Sequence, residues 1–281
     1  MSNQDSKKNS RSLPYSVWPA QAVAQLEQQG ADALGITLYE LMLRAGQAAY
    51  EHLTAHWPEA SHWLILCGHG NNGGDGYVLA RLGQAAGKTV TLLACESEKA
   101  LPEEAQRARD AWLDAGGEIH AADAVWPEQI DVIVDALLGT GSHRAPEEPY
   151  ATLIQQANAH AAPKLAIDMP SGLSARNGTA PGEVINASHT LSVVALKPGQ
   201  ITGKARDYIG ELYYADLGMA AFLAGEGAPI ARYDASALTR WLKPRKPTSH
   251  KGSHGRLLVV GGRCRYRWRG ADDGRSGVAQ R

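Results

Sequence analysis

A chain of 281 residues with 44% hydrophobic content is long enough to bury one large core or two modest ones. Its 28 basic residues balance 29 acidic ones, leaving a formal net charge of -1, which offers no electrostatic case for nucleic acid and favours a small-molecule partner. Three cysteines, Cys67, Cys95 and Cys264, occur without CxxC or His/Cys spacing; they give no sign of a disulfide framework and suit a reducing cytoplasm.

Residues 1–14 are polar, lack the apolar stretch of a secretory signal, and read as a disordered tail. No window approaches the ~18 to 20 apolar residues of a membrane span. Apolar residues recur at helical spacing over 16–56, predicting two leading helices. HWLILC at 62–67 reads as a strand covered on both faces, and it enters the glycine-rich segment GHGNNGGDG at 68–76. Helices at 77–86, 102–115 and 150–159 then alternate with strands at 89–94, 131–134 and 164–167. That rhythm predicts an α/β three-layer sandwich with a mostly parallel central sheet, whose ligands bind where the strands end. Beyond Pro170 come shorter strands at 187–194 and 208–215, then a helix at 235–241 with Asp234 as its N-cap.

The chemistry concentrates at predicted strand ends. Gly68, Gly70, Gly73, Gly74 and Gly76 allow positive φ angles and close backbone approach, while Asn71, Asn72 and Asp75 add polar groups. A strand-to-helix turn of this kind presents amides to a phosphate. It matches neither the GxGxxG dinucleotide pattern nor the P-loop, and a plain capped turn is an equal reading of the loop alone. VDALLGTGSHRAP at 134–146 delivers Asp135 to a second glycine-rich loop, and AIDMPSGL at 166–173 delivers Asp168 to the turn of Pro170, Ser171 and Gly172. Each acid alone also reads as a helix cap. Together they would place hard oxygen ligands at one sheet edge, suited to an alkali or alkaline-earth cation beside phosphate. Lys197, in VALKPGQ, follows another strand and could reach the same edge as a cation or proton donor.

LMLRAG at 41–46, GNNGGDG, VDALLGTG, AIDMPSG and LKPG, in that order, resemble the NAD(P)H-hydrate epimerase family over roughly residues 15–242. The resemblance implies a Rossmann-like domain that interconverts the S and R forms of hydrated NADH and NADPH. It implies substrate contacts at Asn71, Asn72, Gly73, Gly74 and Asp75, at Gly139, Thr140, Gly141, Ser142, His143, Arg144 and Ala145, and at Asp168. It further implies a potassium ion held by Asn72, Asp135 and Ser171, and a homodimer. Asp168 is expected to handle the proton, with Lys197 assisting. The pattern after GTG departs from the family at Ser142 and His143, where an apolar residue usually precedes the arginine; His143 is expected to face solvent. The alternative is a non-enzymatic nucleotide- or protein-binding module of the same fold.

Residues 243–262 read as a linker, whose basic KPRKPTSHKG lacks the aromatic interleaving of a nucleic-acid patch, and as the start of a domain resembling the ADP-dependent NAD(P)H-hydrate dehydratase. Residues 263–281 contain six arginines and no aliphatic periodicity. Read one base later, arginine-rich codons can restore a glycine turn and an amphipathic helix. The expectation is therefore a frameshifted, disordered extension without dehydratase activity.

Overall fold

The alternation read from the sequence becomes a seven-stranded sheet in which every pair is parallel, in the order β4-β3-β2-β5-β6-β7-β8. The computed structural model describes residues 13–141, 144–238, 247, 248 and 250. By contact they fall into two units, 1–232 and 233–281.

The first unit opens with β1 (Ser16–Val17), α1 (Ala20–Leu34) and α2 (Leu38–His56). Gly35, at φ 66°, ends α1 in the left-handed region. Thr37 then starts α2 through a reciprocal capping box: Glu40 N–H donates to Thr37 Oγ1 at 3.1 Å, and Thr37 N–H to Glu40 Oε2 at 2.7 Å. β2 (His62–Cys67), α3 (Asn71–Ala85), β3 (Thr89–Ala94), α4 (Glu103–Asp114) and β4 (His120–Ala121) follow. The second half of the sheet is built from β5 (Val132–Ala136), α5 (Tyr150–Ala159), β6 (Lys164–Ile167), β7 (His189–Val193), α6 (Ala205–Tyr208) and β8 (Glu211–Ala215). α7 (Ala220–Glu226) and β9 (Ile230–Ala231) close the unit, and β9 pairs antiparallel with β1.

Period-2 alternation sends the residues of each strand to opposite faces. Trp63, Ile65 and Cys67 of β2 join the core under α2, α3 and α4, whereas Leu64 and Leu66 pack with Leu153, Ile154 and Ala157 of α5. The helix layers on both faces are thus legible in an unbroken apolar strand. Asp135 lies within β5, which runs two residues further than the sequence suggested. The strand expected at 208–215 is divided: Gly210, at φ 60°, turns the chain between α6 and β8. No helix among the described residues is long and apolar enough to cross a membrane.

In the second unit, α8 (Ala235–Leu238) is capped as expected, with Ala237 N–H donating to Asp234 Oδ1 at 3.1 Å. Pro247 and Thr248 form a turn. The expectations for residues 1–12, for most of 243–262 and for 263–281 lie outside the described residues.

Candidate functional site

In the sheet order β3 lies on one side of β2 and β5 on the other, so the chains leaving β2 and β5 part in opposite directions. A crevice opens at such a reversal. Cys67 pairs with Ala136, which sets the two strand ends level, and Gly68 N–H donates to Ala136 O at 2.9 Å. A Cβ on Gly68 would stand 1.7 Å from the Leu137 carbonyl oxygen, so only glycine permits this approach. The crevice is a cavity of about 540 Å³. One wall is His69, Gly70, Asn71 and Asn72; the other is Leu137, Leu138, Gly139, Thr140, Gly141, Arg144 and Ala145, with Tyr150 at its side.

GHGNNGGDG is not a loop over its whole length. α3 begins at Asn71, six residues before the expected start, and Gly70 precedes it in an extended conformation at φ -166°. None of Gly68, Gly70, Gly73, Gly74 and Gly76 adopts a positive φ. Their use is close packing: a Cβ on Gly73 would meet Gly68 O at 2.0 Å, and one on Gly76 would meet Cys67 Sγ at 2.7 Å. Gly73 and Gly74 are buried and line neither this crevice nor the acid pocket described next. The helical start is still useful for binding. No side chain caps its N-terminus, and the free amides of its first turn open on the crevice, where an anion would be held.

Asn71 also lines a second, smaller pocket, with Glu27, Met42, Asp75, Val193, Val194 and Leu217. Here the acids gather. Burial and, to a lesser extent, the Asp168 carboxylate lift the Glu27 carboxyl to about 7 against the opposing charge of Lys197. Asp75 is pushed well up by burial, then by Glu27 and Asp168, again against Lys197. Asp168 and Lys197 form a buried ion pair, with Lys197 fully enclosed. Lys197 Nζ also donates to Val193 O at 2.8 Å, while Gln200 Nε2 donates to Asp168 O at 2.7 Å and Gln200 Oε1 accepts from Lys197 N–H at 2.8 Å. One cation thus faces three carboxyl groups, and two of those groups are driven towards their protonated form.

Three non-glycine residues among those described sit in the left-handed region: Asp168 at φ 65°, Val194 at φ 62° and Leu217 at φ 52°. Such conformations cost roughly 1–3 kcal/mol each and persist only where neighbours over-determine them. Those neighbours are visible. Asp168 N–H donates to Leu191 O, Val194 N–H donates to Ala215 O, and Val194 O accepts from Tyr214 at 2.8 Å. Leu217 O accepts from Arg44 Nη1 at 2.9 Å. Arg44 belongs to LMLRAG, whose Leu41, Met42 and Ala45 also line the acid pocket, which gives that helix segment its purpose.

Of the expected cation ligands, Asp135 and Ser171 meet behind the crevice wall formed by Leu137 and Leu138. Asp135 is fully buried, accepting from Ser171 Oγ at 2.5 Å, from Ser171 N–H at 2.7 Å and from Leu137 N–H at 3.2 Å. Burial nonetheless lifts its carboxyl to about 6, since these bonds offset desolvation only in part. Ser171 Oγ in turn accepts from Leu138 N–H at 2.9 Å. Asn72 contributes the decisive observation: both its amide oxygen and its amide nitrogen are buried without a hydrogen-bond partner, facing Gly139. An orphaned amide oxygen, a desolvated carboxylate and a hydroxyl fit a hard monovalent cation. None of Asp75, Asp135 and Asp168 acts as a helix cap. Ser142 and His143 lie outside the described residues.

The sequence reading missed Glu27, Gln200 and Tyr150. Glu27 sits among glutamines on the polar face of α1, and no local pattern marks it.

Residues 38–199, more than half of the chain, match the family described as YjeF-related protein N-terminus. The bifunctional NAD(P)H-hydrate repair enzyme Nnr of Escherichia coli K12 is 58% identical over 262 residues, which cover 93% of this chain and 51% of that protein. The bifunctional NAD(P)H-hydrate repair enzyme of Leishmania major is 42% identical over 259 residues, covering 89% and 46%. The chain therefore spans about half the length of the curated relatives it matches. The crystal structure of the yeast protein ynu0 has the same fold at a TM-score of 0.60 and 19% identity, covering 78% of this chain and 97% of that one. With a family match over most of its sheet and a relative at 58% identity, the chain belongs to the YjeF-related N-terminal family.

Proposed function

We propose that the chain interconverts the S and R epimers of hydrated NADH and NADPH. The observation that carries this reading is the acid pocket beside the crevice, where Asp168 and Lys197 are paired next to carboxyl groups that hold protons near neutral pH. The relatives' names, as NAD(P)H-hydrate repair enzymes, supply the substrate. Amides at the start of α3 and Arg144 suit the pyrophosphate, while Asn71 joins that wall to the acids.

The carbon to be inverted bears a hydroxyl beside a ring nitrogen. Proton delivery to the hydroxyl lets it leave as water while the nitrogen lone pair forms the second C–N bond. Water then adds from the opposite face and gives its proton back. Asp168 handles that proton, Lys197 holds its charge, and Glu27 and Asp75 are the protonated reserve behind it. Asn72, Asp135 and Ser171 would hold a potassium ion, which would supply fixed positive charge beside the crevice. A homodimer belongs to the same reading.

Purified protein incubated with one isolated epimer, with and without potassium, tests the proposal. Conversion to the epimeric mixture is expected, faster with potassium and abolished in Asp168→Asn. No conversion in either buffer would leave the nucleotide-binding module as the reading; full rate in Asp168→Asn would move the chemistry elsewhere.

A further inference from the structure

The opposite end of the sheet carries a second constellation that epimerisation does not use. His52 and His56 stand one turn apart at the end of α2, and His189 opens β7. One ring nitrogen of each lies within 4.8 Å of the other two. His52 is fully buried, and its Nδ1 has no hydrogen-bond partner. Its Nε2 is 2.9 Å from His189 Nδ1. His56 Nδ1 is 2.9 Å from His52 O. A carbonyl only accepts, so His56 Nδ1 carries the hydrogen and the neutral ring keeps its lone pair on Nε2.

We propose that His52, His56 and His189 form a binding site for a divalent first-row transition metal ion, zinc foremost, at the end of the sheet remote from the crevice. The His-x3-His spacing on a helix places two imidazoles on one face, as zinc sites require. Ligands at about 2.0–2.1 Å in a tetrahedron stand roughly 3.3 Å apart. The 2.9 Å between His52 and His189 needs to open by only a few tenths of an ångström. His56, whose ring now stacks on that of His52 with centroids 4.1 Å apart, must swing its edge inward. The bond from His56 Nδ1 to a carbonyl is the outer partner that fixes the tautomer and orientation of a metal-binding imidazole.

Three nitrogens without a carboxylate favour zinc, nickel or copper over magnesium or calcium. His56 and His189 are only part-buried, so a water can complete the coordination. Around the cluster Tyr213 packs edge-on to His52 at 4.5 Å and to His56 at 4.8 Å, and its hydroxyl donates to Glu211 Oε2 at 2.8 Å. A bound ion would clamp α2 to β7, whose far end, Val193, lines the acid pocket.

The test uses tag-free, chelator-treated protein titrated with cobalt(II), then zinc(II). One equivalent of cobalt with the intense visible bands of a four-coordinate site, displaced by zinc, is expected. His56→Gln and His189→Gln should each weaken zinc by at least about tenfold, while circular dichroism confirms that both are folded. His62→Gln, outside the cluster, should bind as the parent does. No saturable uptake, or uptake retained in both cluster variants, would show that the three rings only pack against one another.

Discussion

Lys197→Met is the perturbation whose cost the structure sets most directly. Lys197 is fully enclosed, its ammonium paired with Asp168 and bonded to Val193 O at 2.8 Å. Methionine keeps the stem volume and removes the charge, leaving a buried carboxylate unpaired among the acids of its own pocket. Breaking a buried pair from one side costs about 3–5 kcal/mol. In a unit of this size about 4 kcal/mol lowers the melting temperature by roughly 8–16 °C. Replacing both partners, as Lys197→Met with Asp168→Asn, removes the unpaired charge. Asparagine also tolerates the left-handed backbone that residue 168 adopts. The double variant should therefore be more stable than Lys197→Met alone, though inactive. Urea unfolding of parent, both single variants and the double variant gives the cycle. A loss under about 1 kcal/mol for Lys197→Met, or strict additivity of the two changes, would refute the pairing argument.

Gly68→Ala places a Cβ 1.7 Å from the Leu137 carbonyl and should force the ends of β2 and β5 apart. A fall of more than about 1–3 kcal/mol in thermal or urea unfolding is expected, and an unchanged melt would show that the ends can yield. Asn72→Ala removes an amide with no partner, so stability in potassium-free buffer should change by less than about 1 kcal/mol. The melting shift produced by potassium should shrink in the same variant; an equal shift in both proteins would place the ion elsewhere. Glu27 is lifted from 4.5 to about 7, so the native chain keeps a proton that the unfolded chain releases. The stability attached to it is whole below pH 4.5 and is lost as the pH rises through 7, at no more than about 1.4 kcal/mol per pH unit. Glu27→Gln should flatten the difference in unfolding free energy between pH 5.5 and pH 8, and parallel profiles for the two proteins would contradict it.

Much of the fold was legible because burial on both faces leaves a plain mark. HWLILC, TVTLLA and KLAI are strands at the residues their apolar runs delimit, and α5 spans the predicted residues. The start of α3 was not legible, since Asn-Asn-Gly-Gly has turn chemistry. Glycine costs a helix about 1 kcal/mol relative to alanine. The cost is accepted because any Cβ at Gly73 or Gly76 would strike the backbone or side chains beneath it. Local propensity pointed one way and tertiary packing decided the other.

The site divides in the same manner. Asp135 and Ser171 come together as their positions at strand ends implied, and so do Asp168 and Lys197, while Asn72 lies on the crevice wall facing Gly139. Glu27 could not be found from its neighbours, because what singles it out is its nearness to Asp75, Asp168 and Lys197, all more than forty residues away in sequence. Val194 and Leu217 were equally hidden. Their left-handed backbones are imposed by bonds from Ala215, Tyr214 and Arg44, three residues on two other elements. That origin bears on the chemistry. Asp168 and Val194 are both held against their backbone preference, each by bonds on its amide and its carbonyl, so neither can relax alone when the charge beside it changes. The carboxylate of Asp168 is therefore carried on a fixed backbone beside Lys197, and in the proposed reaction little reorganisation of that backbone would oppose a proton transfer at Asp168.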